Sequence, residues 1–473
     1  MASSDRMKVI VVGAGLGGCA AALAMRHHGH DVVVYEKIRT FRRLGDSLGL
    51  GENALKLLQR WGAGGSPPLY DRLIRIGNQA ETMQIRRWHD GKVLAEQPLM
   101  DMAGRIGHRG DYHEAFLAGV RDAGIPLYMG REVVEYVEPE PEPEPAPAAA
   151  EPDDAASATE TKQRPRARPR PRVKVVFADG ITDEADLVVG ADGIKSRART
   201  LVLGFADAPR SSGYACFRAY GTSDHVRDIP QSRAFVEHDC VNIWIGIDTH
   251  MIQNTLRDGA EFNWIVTRKL TDRAREQAML TGESWFRAGD MDEVRQCIAT
   301  VDPRIRAAVA ASTECLDWLI CSRDPLPTWV AARSHQIALL GDSCHPHLPT
   351  SAQGASQATE SAGVLAVCLS LARGDVPLAT RTYEKLRFAR VRQSQTNGED
   401  LRDRWHNALR DLDDGAAIDP ESIKIRNRWL YAFDAEADTR ARWPAVSAQV
   451  AEELRTGRIT PLCDVQPAKA NGV

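Results

Sequence analysis

The stretch KVIVVGAGLGGCAAALAMRHHGHDVVVYEK, residues 8–37, decides the fold of this chain. It begins with a continuous apolar run at 8–12, which is typical of a parallel strand buried on both faces. GAGLGG follows at 13–18, then an Ala-rich segment that ends at Gly29 and a second β-branched run at 31–37. The order strand, tight turn, helix, strand predicts the first βαβ unit of a doubly wound α/β sheet.

The spacing of Gly13, Gly15 and Gly18 predicts a turn that binds a dinucleotide. The first glycine permits the tight turn, the second lets the backbone approach a pyrophosphate, and the third lets the helix pack on the strand. The N-terminus of that helix presents partial positive charge to the phosphates. Glu36 closes the second strand, near the offset of about 20 residues expected for an acid that binds ribose hydroxyls, and Lys37 is assigned to the same site. An acid there favours an unphosphorylated ribose, as in FAD or NAD.

Length and composition exclude several classes of protein. A chain of 473 residues suggests two or three domains, and its 43% hydrophobic and 26% charged residues are ordinary for a globular protein. A net charge of -4 gives no basic excess, so nucleic acid is not expected as a partner. No apolar run approaches the roughly 18 residues of a membrane span. The polar start, MASSDRMK, lacks the apolar core of a signal peptide, so we expect a cytoplasmic protein. Nine cysteines without CxxC pairs argue against a disulfide framework and against a metal site.

A segment of unusual composition, residues 138–172, interrupts the chain. It is acidic at first and basic at the end, and it offers almost nothing to a hydrophobic core, so we expect it to be disordered or an extended loop. Strand-like runs flank it at 132–138 and 173–180. They predict a strand pair whose turn carries a long insertion.

The rest of the chain divides into β-like and helical stretches. β-like stretches dominate from 211 to about 263, which indicates a mostly antiparallel sheet and a floor for a pocket, and the chain becomes helical after Gln353. We therefore predict three parts: a dinucleotide-binding domain of residues 1–80, 107–200 and 321–398; a substrate-binding sheet domain of 81–106 and 201–320; and a helical C-terminal region of 399–473.

Two further motifs each follow a predicted buried strand. The first is GADGIKSRAR at 190–199, and the second is GDSCHPHLPTSAQGA at 341–355. Asp342, at the carboxyl end of its strand, is placed to bind the ribityl hydroxyls of a flavin. The amides of Gln353, Gly354 and Ala355 open the next helix, where the helix dipole stabilises negative charge on a reduced flavin.

Together these motifs resemble the single-component FAD-dependent aromatic hydroxylases, and among them the salicylate hydroxylase-like branch found in fungi. The resemblance covers residues 7–445 apart from the insertion. It implies a glutathione-reductase-type FAD-binding domain, as in para-hydroxybenzoate hydroxylase, with an inserted substrate sheet. It also assigns contacts with the flavin to Arg109 in GHRGDYHEAF, to Asp342 on the ribityl chain, and to Pro349, Gln353, Gly354 and Ala355 around the ring. Asp192 and Arg199 are linked by the resemblance to FAD and pyridine-nucleotide handling.

The chemistry implied by the resemblance uses noncovalent FAD, NADH or NADPH, and O2. Oxygen adds at C4a of the reduced flavin, and the hydroperoxide hydroxylates a phenolic or aromatic-acid substrate, with or without decarboxylation. Arg218, in CFRAY on the predicted pocket sheet, is our first candidate for holding a substrate carboxylate or phenolate, against the alternative of a structural salt bridge. His250 is the second candidate. Trp244, Trp264 and Phe217 are candidates for the pocket lining, although aromatic residues on a sheet are more often core.

Two other readings stay open at this stage. One is a different outcome on the same fold, namely epoxidation or a plain oxidase or dehydrogenase reaction on a secondary metabolite. The other is a flavin-binding regulator without turnover, against which the intact glycine-aspartate motifs argue.

Overall fold

A computed structural model describes residues 6–41, 43, 46–62, 64–99, 104–140, 171–281, 286–410, 418–425 and 427–464. Most of the segment 138–172, for which we predicted disorder, lies outside the described residues.

The chain forms eighteen described strands and fourteen described α-helices. The strands are β1 (Lys8–Val12), β2 (Asp31–Glu36), β3 (Ser47–Leu50), β4 (Thr82–Arg87), β5 (Val93–Pro98), β6 (Arg105–His108), β7 (Leu127–Met129), β8 (Val133–Val137), β9 (Val173–Phe177), β10 (Thr182–Ala185), β11 (Leu187–Gly190), β12 (Arg210–Thr222), β13 (Val241–Gly246), β14 (Thr249–Leu256), β15 (Glu261–Lys269), β16 (Phe286–Ala288), β17 (Leu316–Ser322) and β18 (Ile337–Leu339). The helices are α1 (Leu16–His27), α2 (Glu52–Trp61), α3 (Leu69–Ile76), α4 (Arg109–Asp122), α5 (Arg197–Leu203), α6 (Asp224–Arg227), α7 (Arg273–Thr281), α8 (Met291–Cys297), α9 (Pro303–Ala310), α10 (Gly354–Leu371), α11 (Val376–Asn407), α12 (Pro420–Ile423), α13 (Arg428–Tyr431) and α14 (Ala435–Thr456).

The predicted parallel sheet is present and has the strand order β18-β11-β1-β2-β7. Strand β1 lies at its centre and pairs in parallel with both β2 and β11, and β11 pairs in parallel with β18. Its strands are almost wholly apolar because helices such as α1 and α10 cover it. All the turns that follow β1, β11 and β18 therefore lie at one edge of the sheet.

The strand pair around the insertion is confirmed. Strands β8 and β9 are antiparallel, with Val137 opposite Lys174, and they form a small sheet with β10. Glu138 accepts a hydrogen bond from the amide of Ser334, and the carbonyl of Pro171 accepts one from Gln336. The two ends of the insertion are thus held side by side against one turn.

A second, eight-stranded sheet has the order β16-β17-β12-β15-β14-β13-β4-β5. It is antiparallel apart from the pair of β13 with β4, which is parallel. One face packs on α8 and α9, and this core includes Trp244, Trp264 and Phe217. These three side chains are therefore core residues and do not line a pocket, which corrects our expectation for them. The opposite face turns towards the first sheet and α11.

The long helix α11 spans the position of one predicted domain boundary. It runs without interruption from Val376 to Asn407, so the division expected between 398 and 399 falls inside one helix. Its first half packs on α10, and its last turns pack on the second sheet through Leu401 and Trp405. None of the helices within the described ranges is both long enough and apolar enough to cross a membrane.

Candidate active site

The glycine turn after β1 is built for close approach by a ligand. Gly13 has φ +100°, and a Cβ there would lie 2.4 Å from the carbonyl oxygen of Ala191. A Cβ on Gly18 would lie 1.9 Å from the carbonyl oxygen of Gly13. Around Gly15, in contrast, a Cβ would meet no atom within 4 Å. Two glycines are thus required by packing, whereas Gly15 leaves an open backbone face at the start of α1.

A cavity of about 580 Å³ opens at this turn. It brings together residues from the ends of β1, β2 and β11 and from the start of α4, as the shared sheet edge predicts. The predicted residues in its wall are Gly13, Gly15, Glu36, Lys37, Arg109 and Asp192.

Glu36 is held in the wall by the main chain. It is buried, and its two carboxylate oxygens accept hydrogen bonds from the amides of Ala14 at 2.8 Å and Ile38 at 2.9 Å. His113 of α4, which sequence reasoning missed, contacts the carbonyl oxygen of Ala14 at 2.6 Å. Burial lowers the pKa of His113, so the imidazole is neutral at pH 7 and donates this bond. The carboxylate of Glu36 is fixed in place and retains lone pairs for ribose hydroxyls.

Asp192 both caps a helix and faces the cavity. Its Oδ2 accepts hydrogen bonds from the amides of Arg197 at 2.9 Å and Ala198 at 3.2 Å, at the start of α5. Its Oδ1 is buried and has no hydrogen-bond partner within the described part of the chain. A buried acceptor without a donor is costly, so this atom fits a ligand hydroxyl or amide.

Asp342 lies directly after β18, and its side chain is open at the surface of the site. Burial by the surrounding protein nevertheless raises the pKa of its carboxyl above the ordinary value, and the positive charge of Arg109 opposes that rise. The charge of Arg109, from a different motif, therefore lies near enough to act on the pKa of Asp342. Within the described ranges no donor binds the Asp342 carboxylate.

Arg199 supports this segment from behind and does not line the cavity. It is 1% exposed and forms a forked pair with Asp207, at 2.9 Å from Nε and 2.7 Å from Nη2. Its Nη1 donates to the carbonyl oxygen of Ser343 at 3.2 Å. Arg199 therefore contacts the backbone next to Asp342, and the role that the resemblance suggests for it stays a prediction.

The amides that were expected to face the flavin do open a helix. Helix α10 begins at Gly354, after Gln353 in the N-cap position, and Pro349 is exposed beside it. The Nε2 of Gln353 is buried without a hydrogen-bond partner in the described part of the chain. An eighteen-residue helix places partial positive charge at this end.

A buried ionic cluster holds α10 against α11. Glu360 accepts from Arg387 at 2.6 Å and from Arg390 at 2.7 Å, and its carboxylate is inaccessible to solvent. The two guanidinium groups keep the pKa of Glu360 low even though burial raises it. The start of α10 is therefore fixed by charges located one to two turns further along the helix.

Arg218 lies on the face of β12 that turns towards the first sheet. Its Nη1 is 3.1 Å from Oδ2 of Asp46, and its guanidinium carbon is 4.2 Å from the centroid of the Trp318 ring. Asp46, which sequence reasoning missed, belongs to the chain immediately before β3. The requirement for an anionic partner, which motivated an anionic substrate, is thus met within the protein.

His250 is packed against α11. It is 1% exposed, its Nδ1 is 2.8 Å from Nε2 of His406, and its ring lies edge-on to Trp405. Burial lowers the pKa of His250 well below its ordinary value, and the neighbouring charge of Arg402 acts in the same direction. The structure therefore gives His250 a buried contact between sheet and helix.

The donors and acceptors of this region fit FAD. Gly15 offers open backbone at a helix N-terminus for a pyrophosphate, and Glu36 offers a fixed carboxylate for a ribose. Asp342 offers an open carboxylate without a donor, and the unpartnered Nε2 of Gln353 lies at the start of α10. The residue types are those that the phosphates, hydroxyls and ring edge of FAD need, although Asp342 and Gln353 lie outside the wall of the cavity at the glycine turn.

Comparisons with known proteins agree with this geometry. The family model described as FAD binding domain matches residues 6–396. The 6-hydroxynicotinate 3-monooxygenase of Pseudomonas fluorescens is 31% identical over 84% of this chain and 91% of its own length. The asperlicin C monooxygenase of Petromyces alliaceus is 28% identical over 94% of this chain and 90% of its own. The crystal structure of CtdE in complex with FAD and a substrate has a TM-score of 0.78 and 25% identity, and covers 94% of this chain and 100% of that one.

Proposed function

Because the chain belongs to the family of FAD binding domain proteins, we propose that it is a monooxygenase that uses NADH or NADPH and O2 to hydroxylate an aromatic substrate. The observation that carries the proposal is the junction of two surfaces. The open carboxylate of Asp342 and the start of α10 lie in the segment that packs, through Leu348, on Cys216 and Ile320 of the second sheet. A flavin held by this segment would have its reactive end at that sheet.

The residues proposed to hold FAD are those predicted from sequence. The backbone at Gly15 would receive the pyrophosphate, Glu36 a ribose, and Asp342 the ribityl hydroxyls. The start of α10, with Gln353 and Gly354, would receive the edge of the ring that carries negative charge on reduction. When bound, FAD supplies the chemistry of hydride acceptance and oxygen activation, which none of the twenty side chains supplies.

The chain's own contribution to the reaction is to position the substrate and to exclude water. The apolar contacts of Leu348 with Cys216 and Ile320 close one side of the junction. Arg218 and Trp318 present a cation and an indole ring on the adjacent part of the same sheet face. An aromatic substrate bound beside them would be oriented by this sheet face, and reaction in a dry site avoids the wasteful release of hydrogen peroxide.

The experiment that tests the function is a substrate screen with product analysis. The purified protein should be yellow, and denaturation should release a flavin with the mass of FAD. Phenols, aromatic acids and uncharged heteroaromatic compounds are then tested for stimulation of NADH and NADPH oxidation under ¹⁸O₂. We expect at least one to be converted to a product that carries one labelled oxygen atom.

Three outcomes would contradict the proposal, and each points elsewhere. Bound FMN or the absence of flavin would show that the cofactor is misassigned. Substrate oxidation without labelled oxygen, with stoichiometric hydrogen peroxide, would indicate an oxidase. A flavoprotein whose NAD(P)H consumption no compound stimulates would fit a binding protein without turnover.

A further inference from the structure

The ion pair of Arg218 and Asp46 joins the two sheets. Asp46 precedes β3, and its carbonyl oxygen accepts a hydrogen bond from the amide of Arg109 at 2.9 Å. Its carboxylate meets Arg218 of β12 at 3.1 Å, and the two side chains are only 11% and 14% exposed. The charge of the arginine is therefore neutralised by a residue fixed to the flavin-binding side of the molecule.

The residues around the ion pair of Arg218 and Asp46 place it beside the junction of the two sheets. The indole ring of Trp318 covers the guanidinium at 4.2 Å. Strand register places Trp318 opposite Cys216, two residues before Arg218 and on the same face of β12. Cys216 packs on Leu348, six residues after Asp342. The pair thus borders the junction to which the proposed function assigns the substrate.

A carboxylate that entered beside Arg218 would compete with Asp46 for the same guanidinium. It would also lie within a few ångströms of the Asp46 carboxylate, and two like charges at that distance repel each other in a partly buried site. An uncharged ring faces neither the competition for the guanidinium nor the repulsion, because the paired charges of Arg218 and Asp46 together are neutral.

We propose that Asp46 sets the charge preference of the substrate site, so that the enzyme selects uncharged aromatic substrates and discriminates against aromatic carboxylates. This inference rests on the proposed function, since it concerns the substrate of that same site. Asp46 acts through Arg218 and is a positioning residue.

The test measures binding and does not depend on turnover. FAD-loaded enzyme is titrated with salicylate and with salicylamide, its uncharged analogue, at a pH where the acid is ionised, and the perturbation of flavin absorbance gives each Kd. Wild-type enzyme should bind salicylamide at least as tightly as salicylate. Asp46→Asn frees the guanidinium, and the ratio of the two Kd values should shift about tenfold towards salicylate, as expected for a charge-assisted hydrogen bond in a partly buried site.

Two further variants make the result specific. Arg218→Gln leaves Asp46 unpaired and should shift the ratio in the opposite direction, away from salicylate. Asp248→Asn is the matched control, because Asp248 carries the same charge at the turn between β13 and β14, where it pairs with Lys269 and Arg410. It should leave the ratio unchanged.

The proposal is overturned by a wild-type enzyme that prefers salicylate tenfold, or by an Asp46→Asn enzyme that retains FAD and shows no shift or no saturable salicylate binding. If Asp46→Asn does not retain FAD, the proposal is tested by Arg218→Gln alone, in which the ratio of the two Kd values should shift away from salicylate. Loss of FAD by both variants would assign the pair to folding and would also overturn it. Failure of the proposed function through oxidase chemistry or lack of turnover is distinguishable, because it appears in the labelled-oxygen screen and leaves the Kd ratios of the FAD-loaded enzyme measurable.

Discussion

Replacement of Asp342 by alanine should separate cofactor binding from folding. In the protein alone, no described donor binds this carboxylate, and burial raises its pKa. An acid with a raised pKa in the folded state destabilises that state once it is ionised, so at pH 7 the apoprotein loses nothing when the carboxylate is removed. FAD, in contrast, loses a charged acceptor for its ribityl hydroxyls.

The size of the effect follows from the kind of bond that is lost. One hydrogen bond to a charged acceptor is worth about 1.5 to 3 kcal/mol, so Asp342→Ala should weaken FAD binding by about 10- to 150-fold. Apoprotein is titrated with FAD, and quenching of flavin fluorescence gives the Kd. The thermal midpoint of the apoprotein is measured in parallel and should equal or exceed that of wild type.

The control is Asp292→Ala, which removes an exposed carboxylate paired with Arg295 on α8. Asp292→Ala should change neither the Kd for FAD nor the thermal midpoint of the apoprotein. Wild-type FAD affinity in a folded Asp342→Ala protein would refute the assignment of the ribityl site. A large loss of apoprotein stability would refute the reasoning about burial.

Three further predictions follow from contacts within the protein. Replacement of 141–170 by a short Gly-Ser linker should preserve FAD binding and turnover. Glu138 and Pro171 stay anchored to one turn, and the length of a surface loop adds little closure entropy. Loss of turnover with FAD still bound would show that the insertion is functional. Arg199→Lys should lower the free energy of unfolding by about 3 kcal/mol and weaken FAD retention, since lysine cannot form the fork to its carboxylate partner; an unchanged denaturation midpoint would contradict this. Burial lowers the pKa of His250 and brings that of His406 to about 4. As the pH falls, these imidazoles are therefore protonated in the unfolded chain at a higher pH than in the folded protein. The free energy of unfolding should decrease as the pH drops from about 6.5 towards 4. Denaturant titrations across this range should show a smaller loss in a variant in which both histidines are glutamine, and an equal loss would contradict the assignment.

The parts of this molecule that could be predicted from sequence are those that local backbone rules determine. The strand at 8–12 and the glycines after it can be recognised in the sequence, because a buried parallel strand is continuously apolar and a positive φ favours glycine. The start of α10 was predicted for the same reason, from a short motif that closes a strand and opens a helix. The family resemblance was confirmed by the comparisons.

The parts that sequence could not give depend on pairing between distant segments. Nothing next to Arg218 in the chain indicates that Asp46 neutralises it, and nothing near His250 indicates His406. The tryptophans of the second sheet were ambiguous because alternation along a strand predicts two faces without identifying which one meets the helices α8 and α9. Such assignments need the register of the sheet as well as the sequence.

The strand order β18-β11-β1-β2-β7 has a consequence for synthesis of the protein in the cell. Strands β1 and β2 are translated early, but β18, which completes that edge of the sheet, begins only at Ile337. At about 5 to 20 residues per second, the ribosome needs roughly 7 to 30 seconds to pass from the end of β11 at Gly190 to β18. During that interval β11 offers an unpaired edge that can aggregate. Expression at reduced translation rate therefore lengthens the vulnerable period, and if Asp342 binds FAD as proposed, added riboflavin should protect only chains already extended beyond that residue.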